Sequence, residues 1–115
     1  MEHTSNQFLE RVNAIIEQNL HNESFSTADL ARAVFLCRMQ LHRRIKRETN
    51  LSAARYINQY KLEKALRLIK TTPDTIADIS YEVGFSWPPY FSKCFKASYG
   101  VCPVVFRKSS AGINN

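Results

Sequence analysis

The side chains best suited to chemistry in this sequence are the closely spaced cations of RMQLHRRIKRE, residues 38–48. Five basic side chains precede the first acidic one, Glu48; they are Arg38, Arg43, Arg44, Lys46 and Arg47. Guanidinium groups form paired hydrogen bonds with phosphate and with the O6 and N7 atoms of guanine. The stretch therefore predicts a polyanionic partner, either nucleic acid or an anionic membrane surface. A solvated helix face would account for one basic helix equally well.

The charge of the whole chain is distributed unevenly. The 115 residues carry a formal net charge of +6 at pH 7. Residues 1–35 contain five acidic and two basic side chains, whereas residues 36–115 contain fourteen basic and five acidic ones. The basic excess is therefore confined to the later part of the chain, where we expect the polyanion to bind.

Residues that could support catalysis or bind a metal do not form a recognisable pattern. The chain has three cysteines and three histidines, namely Cys37, Cys94, Cys102, His3, His21 and His42. They show neither metal-ligand spacing nor a local nucleophile–base signature, so we predict no metal, no cofactor and no enzymatic activity. The odd cysteine count, with no apolar run of about 18 residues and no signal-peptide pattern, predicts a reducing cytoplasmic location.

Hydrophobic residues recur at helical spacing along almost the whole chain, and strand signals are scarce. The first predicted helix ends near Leu20. Ser26 and Asp29 have the spacing of a capping box at the start of a short helix, and Ser52 is predicted to cap a long one that ends before Pro73. We therefore predict an all-α fold.

An internal repeat organises these helices. A shift of 49 residues aligns Ser26, Asp29, Leu30 and Val34 with Thr75, Asp78, Ile79 and Val83. A shift of 50 residues aligns Leu41, Ile45, Lys46 and Asn50 with Phe91, Phe95, Lys96 and Gly100. The extra residue falls between the paired helices, so the second connecting turn is predicted to be one residue longer. Two helix-turn-helix units explain this pattern better than a plain helical bundle.

The repeat divides the chain into four predicted segments. Residues 1–50 form the first helix-turn-helix subdomain with an N-terminal helix, residues 51–71 a connecting helix, residues 72–108 the second subdomain and residues 109–115 a polar tail. A connecting helix of about 18 residues would span roughly 27 Å. That length suits the roughly 34 Å between successive major-groove faces of B-DNA.

Helical geometry sorts the side chains of the first basic helix. With Leu41 and Ile45 buried, about 100° per residue places Arg38 and Glu48 near the core side and Arg44 at its edge. The side chains that point away from the core are Met39, Arg43, Lys46 and Arg47. Gln40 and His42 flank them.

The outward side chains suit different contacts with DNA. Arg43 is the best candidate for base readout, because its guanidinium can donate two hydrogen bonds to guanine. His42 could contact a base edge or a phosphate, and Met39 could pack on thymine methyls or fill a gap between helices. Phosphate contacts are predicted for Arg38, Gln40, Arg44, Lys46 and Arg47.

The second basic helix, residues 87–99, follows the same arrangement. Phe91 and Phe95 are predicted to face inward, and Lys93 takes the place of Arg43. Pro88 and Pro89 take the places of Arg38 and Met39. With Ser86 as the predicted N-cap, both prolines lie in the first turn, where their missing N–H groups cost no bond within the helix. Ser86 would cap through those same N–H groups, so we expect either a shifted cap or an entry held by packing of Trp87.

Three stretches carry a longer pattern: LARAVFLCRMQLHRRIKRETNLS, YINQYKLEKALRLI and IADISYEVGFSWPPYFSKCFKASYGVCPVVFR. They resemble the AraC/XylS-type transcription regulators from about residue 30 to 107. The resemblance implies seven helices in two helix-turn-helix subdomains joined by a long helix, with the third and sixth helices in successive major grooves. Carried over by position, it assigns base readout to Met39, His42, Arg43, Pro88, Pro89 and Lys93. Tyr90, Ser92 and Lys96 are then predicted phosphate contacts.

The function implied by this resemblance is sequence-specific binding of double-stranded DNA by a transcription regulator, which we expect to be an activator. RNA polymerase is an expected partner, as is a regulatory domain absent from this chain, and we expect no membrane contact. The segment LEKALRLIKTTPDTIADISYEVGFS also resembles the DNA-binding ends of hybrid sensor-kinase regulators. The alternative is a basic helical module that binds partner proteins or anionic membranes.

Two departures from the family pattern have consequences. Phe35 stands where the family often has glycine in the first turn, so we expect a different backbone geometry there. The proline pair stands where polar side chains commonly reach bases. We therefore predict that the second unit reads DNA by shape, apolar contact and Lys93, and that the first unit dominates specificity.

Overall fold

The structure is a computed structural model that describes the backbone of residues 2–113 and the side chains of residues 7–109. Every regular element in that range is a helix, which confirms the all-α prediction. The helices are α1 (Glu2–Gln18), α2 (Thr27–Ala33), α3 (Arg38–Thr49), α4 (Ala53–Thr71), α5 (Ile76–Glu82), α6 (Pro88–Tyr99) and α7 (Pro103–Ile113).

The chain divides into two compact units, Met1–Tyr60 and Lys61–Asn115. The division falls inside α4, so the helix that the sequence suggested as a separate connector contributes one part to each unit. Helix α7 continues to Ile113 through most of the segment that was expected to be a polar tail. Residues 114 and 115 of that segment lie outside the described residues.

The first unit packs α1, α2, α3 and the start of α4 around an aliphatic core. Val12 and Ile16 of α1, Leu30 of α2, and Leu41 and Ile45 of α3 are almost completely buried. The hydroxyl of Tyr56 donates to Oδ1 of Asn13 at 2.6 Å, and that of Tyr60 donates to Oε1 of Glu17 at 2.7 Å. These bonds connect α4 to α1 within the first unit.

The second unit has an aromatic core instead. Phe91 and Phe95 of α6 are completely buried, with ring centroids 5.9 Å apart. Phe85 lies 5.2 Å from Phe91, and Phe106 lies 5.8 Å from Phe95, both nearly edge to face. Aromatic pairs favour this geometry, and each adds roughly 0.5–1.5 kcal/mol beyond its buried area.

Arg107 joins the two ends of the second unit. Its guanidinium donates to three backbone oxygens, those of Ile69 at 3.3 Å, Thr72 at 3.1 Å and Asp74 at 2.6 Å. The last carbonyls of a helix have no partner within the helix and carry partial negative charge. Arg107 therefore caps the C-terminal end of α4 and ties α7 to it.

The predicted caps of α2 and α4 are confirmed, and Thr75, which the repeat aligns with Ser26, caps α5. Oγ of Ser26 accepts from the backbone N–H of Asp29 at 3.2 Å, while Oδ2 of Asp29 accepts from the backbone N–H of Ser26 at 2.9 Å. That backbone N–H lowers the pKa of Asp29. Thr75 and Ser52 accept in the same way from residues three positions later, at 3.0 and 3.2 Å.

The two turns that precede α3 and α6 share one geometry. The N–H of Leu36 donates to the carbonyl of Ala31 at 2.9 Å, and the equivalent bond in the second unit joins Phe85 to Ser80 at 2.8 Å. This is the Schellman arrangement, in which one residue is left-handed. The left-handed residue is Phe35 in the turn before α3, with φ of 61°, and Gly84 in the turn before α6, with φ of 95°. The expectation of a different geometry at Phe35 is wrong, because the hydrogen bonds of the turn hold Phe35 where glycine would be unstrained.

The proline pair lies within the first turn of α6, as predicted, but Ser86 is not its cap. Trp87 occupies the N-cap position without a side-chain hydrogen bond, so Pro88 and Pro89 are the first and second helical residues. The reason is physical: a cap at Ser86 would bond to N–H groups that proline lacks. With Trp87 at the cap, its carbonyl accepts from Tyr90 at 3.0 Å and from Phe91 at 3.2 Å.

Candidate nucleic-acid interface

The outward face of α3 is basic and exposed, as its periodicity predicts. Leu41 and Ile45 anchor the opposite face in the core. Arg43, Lys46 and Arg47 are exposed along the outward face, with His42 and Gln40 beside them. Met39 belongs to the same face and exposes 61% of its surface, so it does not fill a gap between helices.

Arg44 differs from its neighbours. Its guanidinium carbon lies 4.1 Å from the centre of the Phe8 ring, over the face of α1. Its Nε lies 3.6 Å from Oε2 of Glu48, and the two side chains expose 32% and 10% of their surfaces. A cation over an aromatic ring and beside a carboxylate is held by both. The structure thus turns Arg44 into the unit and away from the outward face.

Arg38 is exposed, whereas the helical angles placed it near the core side. As the first residue of α3, it lies beyond the turn that contacts the core. Arg38, Met39 and His42 line an open groove with residues from the starts of α2 and α4. Those residues are Thr27, Ser52, Ala53 and Ala54. Sequence reasoning missed this groove because its hydroxyl groups come from helices far apart in the chain.

Gln40 has a structural role in addition to its place beside the outward face. Its Oε1 accepts from the backbone N–H of Cys37 at 3.0 Å, which closes the start of α3. The glutamine side chain reaches back to the N-cap in the same way as in a capping box. Its amide nitrogen remains able to donate to another acceptor.

The outward face of α6 is less polar than that of α3. Pro89, Tyr90, Lys93, Lys96 and Ala97 are exposed. Pro88 and Ser92 are half-buried. Lys93 and Lys96 supply the positive charge of this face, and their positions match Arg43 and Lys46 in the repeat.

Trp87 is the feature of the second unit that sequence reasoning assigned only to packing. It exposes 64% of its surface at the N-terminal end of α6. Tyr90, one turn later, packs against Phe85 with ring centroids 6.0 Å apart and is also exposed. A tryptophan next to two prolines at the start of a basic helix was a sequence signal for a contact surface.

Metal-binding clusters, disulfides and membrane-spanning helices are absent from the described residues. Within them, no group of three or more histidine, cysteine or acidic side chains could hold a metal ion. The three cysteines are free thiols. No described helix combines the length and the apolar character that a membrane crossing requires.

Comparisons with known proteins place this geometry in a family. A family model described as a helix-turn-helix domain matches residues 30–109. The transcriptional activator NphR of a Rhodococcus species is 34% identical over 107 residues, which cover 93% of this chain and 32% of that protein. Histidine kinase P4 of Formosa agariphila is 35% identical over 101 residues, which cover 88% of this chain and 7% of that protein. The chain therefore spans a third or less of these two relatives.

A solved structure agrees with the sequence relatives. The crystal structure of a transcriptional regulator from Chromobacterium violaceum, described as an AraC-type DNA-binding-domain protein, superposes with a TM-score of 0.84 and 28% identity. The match covers 95% of this chain and 96% of that one. Together with the repeated turn and the paired seven- and twelve-residue helices, these likenesses show that the chain belongs to the AraC-type helix-turn-helix family.

Proposed function

We propose that this chain is the sequence-specific, double-stranded DNA-binding domain of a transcription regulator, and that the regulator is an activator. The observation that carries the proposal is the repetition of one unit. In both units a seven-residue helix, a left-handed turn and a twelve-residue helix follow each other, and the second helix has an outward basic face. Helices presented in this way enter the major groove of DNA.

The first unit supplies most of the base recognition in this proposal. Arg43 donates to a guanine, and Met39 and His42 contact neighbouring base edges. Arg38, Lys46 and Arg47 contact phosphates, with Gln40 donating through its amide nitrogen. The groove beside Arg38 supports its role, because the hydroxyl groups of Thr27 and Ser52 line the same groove and could also donate to a phosphate. Arg44 has no DNA contact in the proposal because it lies over Phe8.

The second unit supplies fewer hydrogen bonds. Lys93 contacts the groove as a point charge, and Pro88 and Pro89 can offer bases only shape and apolar surface. Tyr90, Ser92 and Lys96 contact phosphates. The two reading helices occupy successive major grooves of one duplex, as the family resemblance implies.

The rest of the proposal concerns the larger protein. RNA polymerase is the proposed partner of the activator, and a regulatory domain is proposed in the same protein. The match of this chain to short portions of an activator and of a histidine kinase supports the second point. A cytoplasmic location is part of the proposal, since free cysteines persist in a reducing compartment.

Selection of binding sites from a random duplex library tests the function. The expected result is a motif with two half-sites about one helical turn apart and more information in the half-site read by α3. Affinity should fall with salt, with a log–log slope of about −3 to −4 for the four cations assigned to phosphates, Arg38, Lys46, Arg47 and Lys96. The proposal is wrong if selected and random duplexes compete equally at physiological salt. Equally tight binding to anionic vesicles would instead support the alternative of a membrane-binding module.

Arg43→Ala should weaken binding to the selected site by about 1–3 kcal/mol and relax the preference at one base pair. Lys46→Ala is the matched control, because it should lower affinity for all sequences alike and reduce the salt slope by about 1. A uniform loss with Arg43→Ala would reassign Arg43 to a phosphate.

A further inference from the structure

The N-terminal end of α6 lacks the groups with which a helix usually binds phosphate. The first backbone N–H groups of a helix point outward and attract anions. In α6 the first two helical positions are Pro88 and Pro89, and proline has no N–H. The Trp87 side chain makes no capping bond there. This end of the helix is therefore poorly suited to anions and well suited to an apolar ligand.

The three residues form a stiff apolar ridge. Pyrrolidine rings fix φ at Pro88 and Pro89, and the carbonyl of Trp87 is held by the N–H groups of Tyr90 and Phe91. Trp87 exposes 64% of its surface, and Pro89 is exposed beside it. Because its backbone is stiff, the ridge loses little backbone freedom when it is covered, so more of its contact energy remains as affinity.

The position of the ridge and its charged surroundings indicate what covers it. A shift of 50 residues aligns Trp87, Pro88 and Pro89 with Cys37, Arg38 and Met39 at the start of α3. Lys93 and Lys96 follow on the exposed face of the same helix. A ridge followed by two exposed cations on the same helix suits a polyanion that has apolar groups within it, and duplex DNA is such a partner.

Only one base-pair edge in the major groove presents an apolar group, and that group is the 5-methyl of thymine. We propose that the ridge of Trp87, Pro88 and Pro89 recognises thymine methyl groups in the second half-site, with Trp87 as a specificity-determining residue. This inference rests on the proposed function and identifies the chemical group that α6 reads.

The test is to remove the methyl group without changing base pairing. In duplexes carrying the selected site, each thymine of the second half-site is replaced by uracil, and affinity is measured by fluorescence anisotropy. Burying one methyl group is worth about a fourfold change in affinity. We expect a loss of about that size at each contacted thymine, and restoration by 5-bromouracil, whose bromine fills roughly the space of the methyl. Replacing thymines outside both half-sites should change nothing.

Variants of the protein connect the effect to the ridge. Trp87→Ala should bind thymine and uracil duplexes equally, whereas Trp87→Phe should keep the discrimination because the indole N–H is not needed. Tyr81→Ala is the matched control: Tyr81 is an exposed aromatic residue of the same unit on α5, and its loss should leave the discrimination intact.

Two results would overturn the inference while leaving the proposed function standing. One is wild-type protein that prefers the selected site but binds its thymine and uracil forms equally. The other is discrimination that survives in Trp87→Ala. The comparison of thymine and uracil duplexes uses the wild-type chain, so its result remains valid even if a variant folds poorly. A wild-type chain with no preference for any selected duplex refutes the proposed function itself, and the inference with it.

Discussion

Arg43 and Arg44 are adjacent residues of the same type, and the structure predicts opposite consequences for their removal. Arg44→Ala should destabilise the first unit and leave the preferred DNA site unchanged. Arg43→Ala should weaken recognition and change the free energy of unfolding by less than about 0.5 kcal/mol, as for exposed side chains in general. The difference arises because Arg44 lies over Phe8 and beside Glu48, whereas Arg43 is exposed.

The size of the Arg44 effect follows from its two contacts. A partly desolvated guanidinium 4.1 Å from a ring centre contributes about 0.5–1 kcal/mol. Removing it also leaves the carboxylate of Glu48, whose side chain exposes only 10% of its surface, without its cation, at a cost of about 1 kcal/mol or more. We expect a loss of about 2 kcal/mol, which for a chain of this length lowers the melting temperature by about 8 °C.

Urea-induced unfolding measured by circular dichroism, with DNA binding measured in parallel, tests this prediction. The double variant Arg44→Ala/Glu48→Gln is the control, because neutralising Glu48 should recover part of the lost stability. If Arg44→Ala were as stable as Arg43→Ala, the contacts with Phe8 and Glu48 would contribute nothing measurable. Arg43→Ala is expected to relax the base preference. If Arg44→Ala had the same effect, Arg44 would belong to the DNA-binding face.

Two further variants test the energetics of the fold. Phe35→Gly should stabilise the chain by about 0.5–1 kcal/mol in urea unfolding, since it relieves a left-handed conformation that costs roughly 1–2 kcal/mol. Phe35→Ala should give no such gain, because alanine is strained in the same conformation. An equal gain in both variants would show that the exposed ring, and not the backbone, destabilises the wild type. Lys61 is buried near the Phe85 ring, and burial lowers the pKa of its ammonium group from 10.5. Lys61→Met should therefore be as stable as wild type at pH 7, or more stable by about 1 kcal/mol. The stability of the wild type relative to that variant should increase as the pH rises towards 10.5, because Lys61 loses its proton at a lower pH in the folded chain than in the unfolded chain. A stability difference that does not change with pH would contradict the lowered pKa of Lys61.

Much of the architecture was predictable because it depends on local periodicity. Leu41 with Ile45, and Phe91 with Phe95, lie one helical turn apart, and this spacing alone fixes which face of α3 and α6 is buried. The caps at Ser26 and Thr75 were predictable for the same reason, since a hydroxyl bonds to an N–H only three residues away. The outward positions of Arg43 and Lys93 follow from these faces.

The features that sequence reasoning missed depend on partners that are distant in the chain or on competition between local rules. Arg44 is at the edge of its helix by angle, and Phe8 of another helix decides its direction. Arg107 reaches carbonyls at Ile69, Thr72 and Asp74, which no spacing rule connects to it. At α6 the sequence left the cap open, because two prolines remove the donors that Ser86 would need, and the structure decides for a cap at Trp87.

By itself, the sequence determined the repeated unit, the buried stripes and the basic outward faces, because each arises from residues within about one helical turn of one another. Only the tertiary structure decided which cations remain free, which turn is strained at Phe35 and which apolar side chains stay exposed at Trp87 and Met39. Those outcomes depend on which surfaces meet when the helices pack, and helical periodicity contains no information about that.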